Sequence, residues 1–197
     1  SYMLGFHAEY TCSKELLEDI AAMAKKYQAP VFTHNSETAL EVAECKERYG
    51  VSPTVLFDQI GLYDFGGGGY HCVHMCDADY EVFKKQNLVA VTNPASNLKL
   101  ASGIAPISRY LTEGIPVAIG TDGPASNNCL DMFREMYLAS VLQKVRENDA
   151  AAMPADAVLR AATSGGAMAM GLDDCVSLAA GNKADMVVID MNRPNMQ

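Results

Sequence analysis

A chain of 197 residues, about half of them apolar, can bury one good core and is marginal for two. Its formal charge of -9 comes with basic residues scattered singly, which argues against a phosphate-tracking nucleic-acid surface. No apolar run approaches the roughly 20 residues of a membrane span, and the N-terminus lacks a basic-then-apolar leader, so a cytoplasmic protein with no membrane partner is expected.

In chain order, Tyr2 to His7 reads as a strand already under way. Ser13 caps a helix to Lys26, with Leu16, Leu17, Ile20, Ala21 and Ala24 as its inward stripe. Ala29 to Thr33 is a strand ending on His34. A polar helix from Glu37 to Tyr49 stops at Gly50, and a short one runs from Pro53 to Ile60. Gly66 to Gly69 has no Lys-Ser/Thr after it, so it reads as a flexible entry to the strand Tyr70 to Val73 rather than a phosphate cradle.

Asp77 is expected to cap a helix from Ala78 to Gln86, followed by the strand Leu88 to Thr92, a loop from Asn93 to Ser102 and a helix from Ala105 to Glu113. Ile115 to Ile119 is a β-branched strand running into Gly120-Thr121-Asp122-Gly123. Helical spacing resumes from Cys129 to Val145 and from Ala155 to Ala162, and Lys183 to Asp190 is a last strand. Short alternation of apolar strands with helices implies a parallel sheet covered on both faces. The final strand falls outside that alternation and suggests a separate small β-domain.

The six cysteines form no C-x-x-C pair and read as free thiols. The four histidines all lie in the first 75 residues, and three of them, His7, His34 and His71, fall at or near strand ends. Successive strands thus deliver His34 with Glu37 three residues on, His71, Asn93 and Asp122. Imidazole and carboxylate suit a divalent metal, and a glutamate just past a ligating histidine can move protons. Each residue alone has a structural account, as a core histidine, a first-turn glutamate or a helix-capping aspartate. One shared site explains all of them together.

The ordered stretches His7-Ala8-Glu9-Tyr10-Thr11-Cys12-Ser13, His34-Asn35-Ser36-Glu37-Thr38, His71-Cys72-Val73-His74, Asn93-Pro94-Ala95-Ser96-Asn97-Leu98-Lys99-Leu100, Gly120-Thr121-Asp122-Gly123 and Ala184 to Asp190 resemble an amidohydrolase-superfamily deaminase. The branch is the one containing S-adenosylhomocysteine/5′-methylthioadenosine deaminase, guanine deaminase and the triazine chlorohydrolases. The resemblance implies an incomplete (β/α)8 barrel of TIM type over residues 1–175 and the start of a C-terminal β-sandwich over 176–197. It implies hydrolytic deamination of an aminopurine nucleoside derivative (adenosine, 5′-methylthioadenosine or S-adenosylhomocysteine), and the ending Arg193 to Gln197 is more similar to the thioadenosine branch than to guanine deaminase. Another heterocycle or amidine hydrolase, or a non-catalytic assembly module, is the alternative.

By the same resemblance, His34 and Asp122 are metal ligands and Asp122 also takes a proton from the attacking water. Glu37 is the acid/base, His71 hydrogen-bonds the attacking hydroxide, and His7 and Asn97 contact substrate, with His74 in support. The implied cofactor is one divalent metal, zinc ahead of iron, in a full-length parent. Two departures stand out: a proline usual two residues after the first histidine is Glu9, and no His-x-His pair occurs anywhere. With two of four ligands missing, the chain is expected to be an inactive fragment of a longer enzyme that associates with its missing N-terminal part or with a second copy.

Overall fold

The computed structural model describes residues 2–192. Five strands form one sheet in the order of the chain, every neighbouring pair parallel. They are β1 (Leu4–Gly5), β2 (Val31–Asn35), β3 (Gly67–His71), β4 (Val89–Thr92) and β5 (Val117–Ile119). Between them run α1 (Lys14–Tyr27), α2 (Ala39–Tyr49), α3 (Pro53–Gln59), α4 (Asp77–Lys85), α5 (Pro94–Lys99) and α6 (Ile107–Thr112). After β5 come α7 (Pro124–Asn127), α8 (Met132–Glu147), α9 (Ala155–Ala162) and α10 (Ser164–Ala169). Parallel strands require such crossovers, and most residues of β2 to β5 are buried, Val31, Phe32, Ala90 and Val117 among them, whereas both residues of β1 and Tyr70 of β3 are not.

Local chemistry sets the helix ends. The Ser13 hydroxyl accepts the Leu16 amide at 3.2 Å, and α1 closes on Gln28 in the left-handed region. Leu17, Ala21 and Ala24 are its buried stripe, whereas Leu16 is 46% exposed, on the solvent side of the face assigned to it. Thr38 accepts the Glu41 amide to start α2, which stops at Gly50. Cys76, not Asp77, is the cap of α4, because the Asp79 carboxylate reaches back to the Cys76 amide at 2.7 Å.

The glycine run departs most from expectation. Gly67, Gly68 and Gly69 are strand residues in the middle strand of the sheet, paired with Val31, Phe32 and Thr33 on one side, and Gly68 and Gly69 with Val89 and Ala90 on the other. A Cβ at Gly67 would fall on the Val31 backbone, one at Gly68 on the Val89 carbonyl, and one at Gly69 within 2.8 Å of the Asn35 Cβ. Close backbone approach, not flexibility, selects glycine here. The strand stops at His71 because His71 and Cys72 turn into the left-handed region, with φ of 68° and 48°.

Other assignments move as well: α2 begins at Ala39 where Glu37 was expected, and α6 at Ile107 where Ala105 was expected. The expected loop from Asn93 to Ser102 contains α5, with Pro94 at its first position where its missing N–H costs nothing. The helix expected from Cys129 begins at Met132, capped by the Asp131 carboxylate accepting the Phe133 amide at 2.9 Å. Lys183 to Asp190 forms no strand among the described residues: Val187 and Val188 are 83% and 97% exposed, and a β-branched run needs a neighbouring ladder that is absent there. Residues 193–197, including the ending compared with the thioadenosine branch, lie outside the described residues. Among the described residues no helix is long and apolar enough to cross a membrane.

Gly68→Ala is expected to destabilise the chain by about 1–3 kcal/mol or more, the usual range for overpacking a full core. Denaturant unfolding of the two proteins measures it, and equal midpoints would show that the sheet relaxes freely around β3.

Candidate active site

The C-terminal ends of β2, β3, β4 and β5 open on one cavity of about 310 Å3 lined by His34, Tyr70, His71, Val91, Asn93, Gly120 and Asp122. In parallel α/β folds this end of the sheet is where ligands bind. Of the residues named from the sequence, His34, His71, Asn93 and Asp122 therefore meet in one place. The His34 and His71 rings stack at 5.2 Å between centroids, and His7 lies 4.6 Å from His34 on the other side.

The hydrogen bonds fix more than the positions. His34 Nδ1 lies 2.6 Å from the His7 carbonyl, which can only accept, so Nδ1 carries a proton and, in the neutral ring, Nε2 keeps the lone pair. A histidine held in this way is prepared to bind a metal through its other nitrogen. The Asp122 carboxylate accepts from Ser96 Oγ at 2.6 Å, from Ser126 Oγ at 2.8 Å and from the Gly123 amide at 2.7 Å. Burial alone would raise its pKa, but these bonds, with the His71 ring beside it, hold the carboxyl below its ordinary value. Asp122 itself is in the left-handed region at φ 59°, as are Ser36 at 52° and His71, so the backbone carries strain where the site is built.

Glu37 sits at the edge of this group with its side chain 14% exposed. Its Oε1 accepts from Ser102 Oγ at 2.8 Å, and its Oε2 is 3.7 Å from His71 Nε2. His74 donates from Nε2 to the Ser102 carbonyl at 2.7 Å, so it holds Ser102 and through it Glu37, without touching the cavity. The loop under Glu37 is tied by Glu41, whose carboxylate accepts the amides of Ser36 at 2.9 Å, Glu37 at 2.8 Å and Thr38 at 3.4 Å. Burial pushes the Glu41 carboxyl up, against the pull of those amides.

Asn97 does not line this cavity. It is 1% exposed and lies behind His71, with Oδ1 2.7 Å from His71 Nδ1. Ser96, Ser102, Ser126 and Glu41 had no role assigned from the sequence. Ser126 was the most accessible of them, four residues after Asp122 and so one helical turn on, within reach of its carboxylate.

Two donors of the expected metal site, His34 and Asp122, fit a hard or borderline cation in chemistry, one imidazole with a free Nε2 and one ionised carboxylate. They are too few to close it: among the described residues no three His, Cys, Asp or Glu side chains are grouped so as to hold an ion.

A parallel α/β sheet with polar residues gathered at its carboxyl end is an architecture that many ligand-binding and catalytic folds share, and comparison with known proteins specifies the family. A family model described as "Amidohydrolase family" matches residues 2–196, and the chain belongs to that family. It is 44% identical over 98% of its length to 5-methylthioadenosine/S-adenosylhomocysteine deaminase from Thermoanaerobacter pseudethanolicus, and 43% identical over 98% to 5′-deoxyadenosine deaminase from Methanothermobacter thermautotrophicus. An adenosine deaminase from Xanthomonas campestris, solved with bound zinc, superposes on the whole chain with a TM-score of 0.93 at 38% identity. The chain spans about 45% of the length of each of these three.

Because the native state depresses the Asp122 pKa, its carboxylate contributes stability that is present above the unfolded value of about 3.9 and lost as pH falls through the lower folded value. Replacing both Ser96 and Ser126 by alanine is expected to raise the Asp122 pKa. Carboxyl-carbon NMR titration reads this directly, and an unchanged value would remove the two hydroxyls from its control.

Proposed function

We propose that the chain is the part of a metal-dependent aminopurine-nucleoside deaminase that carries the acid/base residues and two of the metal ligands. The observation that carries this reading is the grouping of His34, His71 and Asp122 on one cavity with Glu37 3.7 Å from His71, in a chain 44% identical to a thioadenosine deaminase. Adenosine, 5′-methylthioadenosine and S-adenosylhomocysteine are the candidate substrates. The sheet is read as part of a (β/α)8 barrel over residues 1–175, and 176–197 as the start of a β-sandwich. Supporting the barrel, β1 and β5 are both edge strands of a parallel sheet, a row of unpaired groups that closure would remove. The same edges support association with further strands of a longer protein or with a second copy. A cytoplasmic location belongs to this reading.

His34 Nε2 and Asp122 would hold the ion, zinc by preference, with further ligands from outside this chain. A divalent cation there would act as a Lewis acid, lowering the pKa of water towards neutrality. The chain's own residues manage the protons. Asp122, kept ionised by its three donors, accepts a proton from the attacking water. His71 orients that water by a hydrogen bond. Glu37 protonates the ring nitrogen next to the carbon under attack, regains a proton from Asp122 and delivers it to the departing amine, and then takes the proton of the adduct's hydroxyl as the carbonyl forms, so both carboxyls return to their starting states. Water is added and ammonia lost, so the amino-substituted carbon becomes a carbonyl. Ser102 holds one Glu37 oxygen at 2.8 Å, leaving the other to face the reacting group.

Two measurements test this. The 197-residue chain is expected to lose zinc on dialysis, since catalytic zinc sites keep three or more protein ligands, and stoichiometric retention by the monomer would overturn the ligand count. In a full-length parent, His34→Ala is expected to lower both metal content and ammonia release. Glu37→Gln is expected to keep the metal and lose about 10²- to 10⁴-fold in kcat. A Glu37→Gln enzyme with near-normal turnover would take Glu37 out of the mechanism.

A further inference from the structure

Behind His71 the structure leaves one polar atom unaccounted for. Asn97 is 1% exposed, and its Nδ2 is the one buried side-chain nitrogen or oxygen among the described residues without a hydrogen-bond partner. A buried amide donor left unmatched is costly, and native proteins rarely tolerate one without a water beside it. Asn97 also lines a separate cavity of about 10 Å3 with Thr92, Gly103, Ala105 and Gln143, the room that a single water needs (roughly 10–15 Å3). The other end of the same amide, Oδ1, faces His71 Nδ1 at 2.7 Å. An amide oxygen can only accept, so this orientation requires the proton of the imidazole to be on Nδ1.

We propose that Asn97 is a positioning residue that locks His71 as its Nδ1–H tautomer, with its Nδ2 bonded to one internal water in the cavity behind it. The consequence falls on the face His71 presents to Glu37. Its Nε2, 3.7 Å from Glu37 Oε2, then carries a lone pair and accepts a hydrogen bond instead of donating one. On the deaminase reading, on which only this consequence rests, His71 orients the attacking water by taking a hydrogen bond from its O–H. The opposite tautomer would present an N–H to the oxygen and compete with its nucleophilic lone pair. Asn97 thus acts through His71 and does not touch substrate, which is why a substrate-contacting role does not suit its burial.

The test is histidine-selective nitrogen NMR on the full 197-residue chain, at a pH where the His71 ring is neutral, with His71 assigned by its loss in His71→Asn. Expected is a protonated Nδ1 and an unprotonated Nε2, and a nuclear Overhauser contact from the Asn97 side-chain amide to water. In Asn97→Leu the Nδ1–H preference should be lost, and in Asn97→Asp, which restores an acceptor, it should return. An Nε2–H tautomer in the unaltered chain overturns the proposal whether or not either variant folds, as does a folded Asn97→Leu protein with the tautomer unchanged. An amide with no water contact overturns the internal water. None of these readouts needs turnover, so they stand apart from the metal and ammonia assays that decide the deaminase reading.

Discussion

The site depends on the register between β2 and β3. Their parallel pairing sets His34 opposite Tyr70 and Asn35 opposite His71, so the two strands finish at nearly the same level and His34 and His71 share one opening. That register holds only because β3 can approach both neighbours closely, and Gly67, Gly68 and Gly69 leave no side chain in the way. The space they leave is taken by others: the Phe32 ring lies over Gly68 and the Asn35 side chain over Gly69. Asn35 then becomes a buried junction, accepting from Ser36 Oγ and Thr54 Oγ1 at 2.9 Å each and donating to the Tyr63 hydroxyl at 3.3 Å. A glycine run in one strand therefore determines which polar residue of the next can be buried beneath the site.

Above that level the chain leaves the sheet through tight turns, and buried carboxylates hold those turns. Glu41 collects three successive amides beside Glu37. Asp79 takes the Cys76 amide and the Ser52 hydroxyl below the turn after β3. Glu135 of α8, fully buried, accepts the Ala95 amide at 2.9 Å and the Asn127 side chain at 2.8 Å, joining the turns after β4 and β5. Each of these carboxylates meets N–H or O–H donors, most of them backbone amides, which is the condition under which a carboxylate can be buried at tolerable cost. Much of the acidic excess of this chain that is buried is consequently structural, and it keeps the strand-end residues from drifting apart.

Strand and helix order was legible because period and composition speak directly: β-branched apolar runs for β4 and β5, a serine cap at the start of α1 and a glycine at the end of α2. The strand-end residues His34, His71 and Asp122 could be named for the same reason, since a parallel sheet puts the ends of consecutive strands side by side. What could not be read were features set by tertiary approach. Gly67 to Gly69 carry the composition of a loop, and only the nearness of Val31 and Val89 makes them a strand. Substrate contact by Asn97 was implied only by the family resemblance, and only the fold shows it buried behind His71. Lys183 to Asp190 shows the converse: its pattern reads as strand, but a strand exists only where there is another to pair with.

The replacement of an expected proline by Glu9 follows the same logic of compensation. Proline would stiffen the turn after β1 by fixing its own φ, at no cost in buried charge. Glu9 is 1% exposed and must be paired, and Arg48 from α2 supplies a two-pronged bond, Nε to Oε1 at 3.2 Å and a terminal nitrogen to Oε2 at 2.6 Å. The turn is thereby tied across the molecule to the helix that follows His34. Two residues before Glu9 is His7, whose carbonyl accepts both the His34 amide at 3.0 Å and the His34 ring at 2.6 Å. A shift of that turn would move the acceptor that decides which His34 nitrogen bears the proton. The Glu9–Arg48 pair therefore belongs to the electronic preparation of His34, although neither residue lines the cavity.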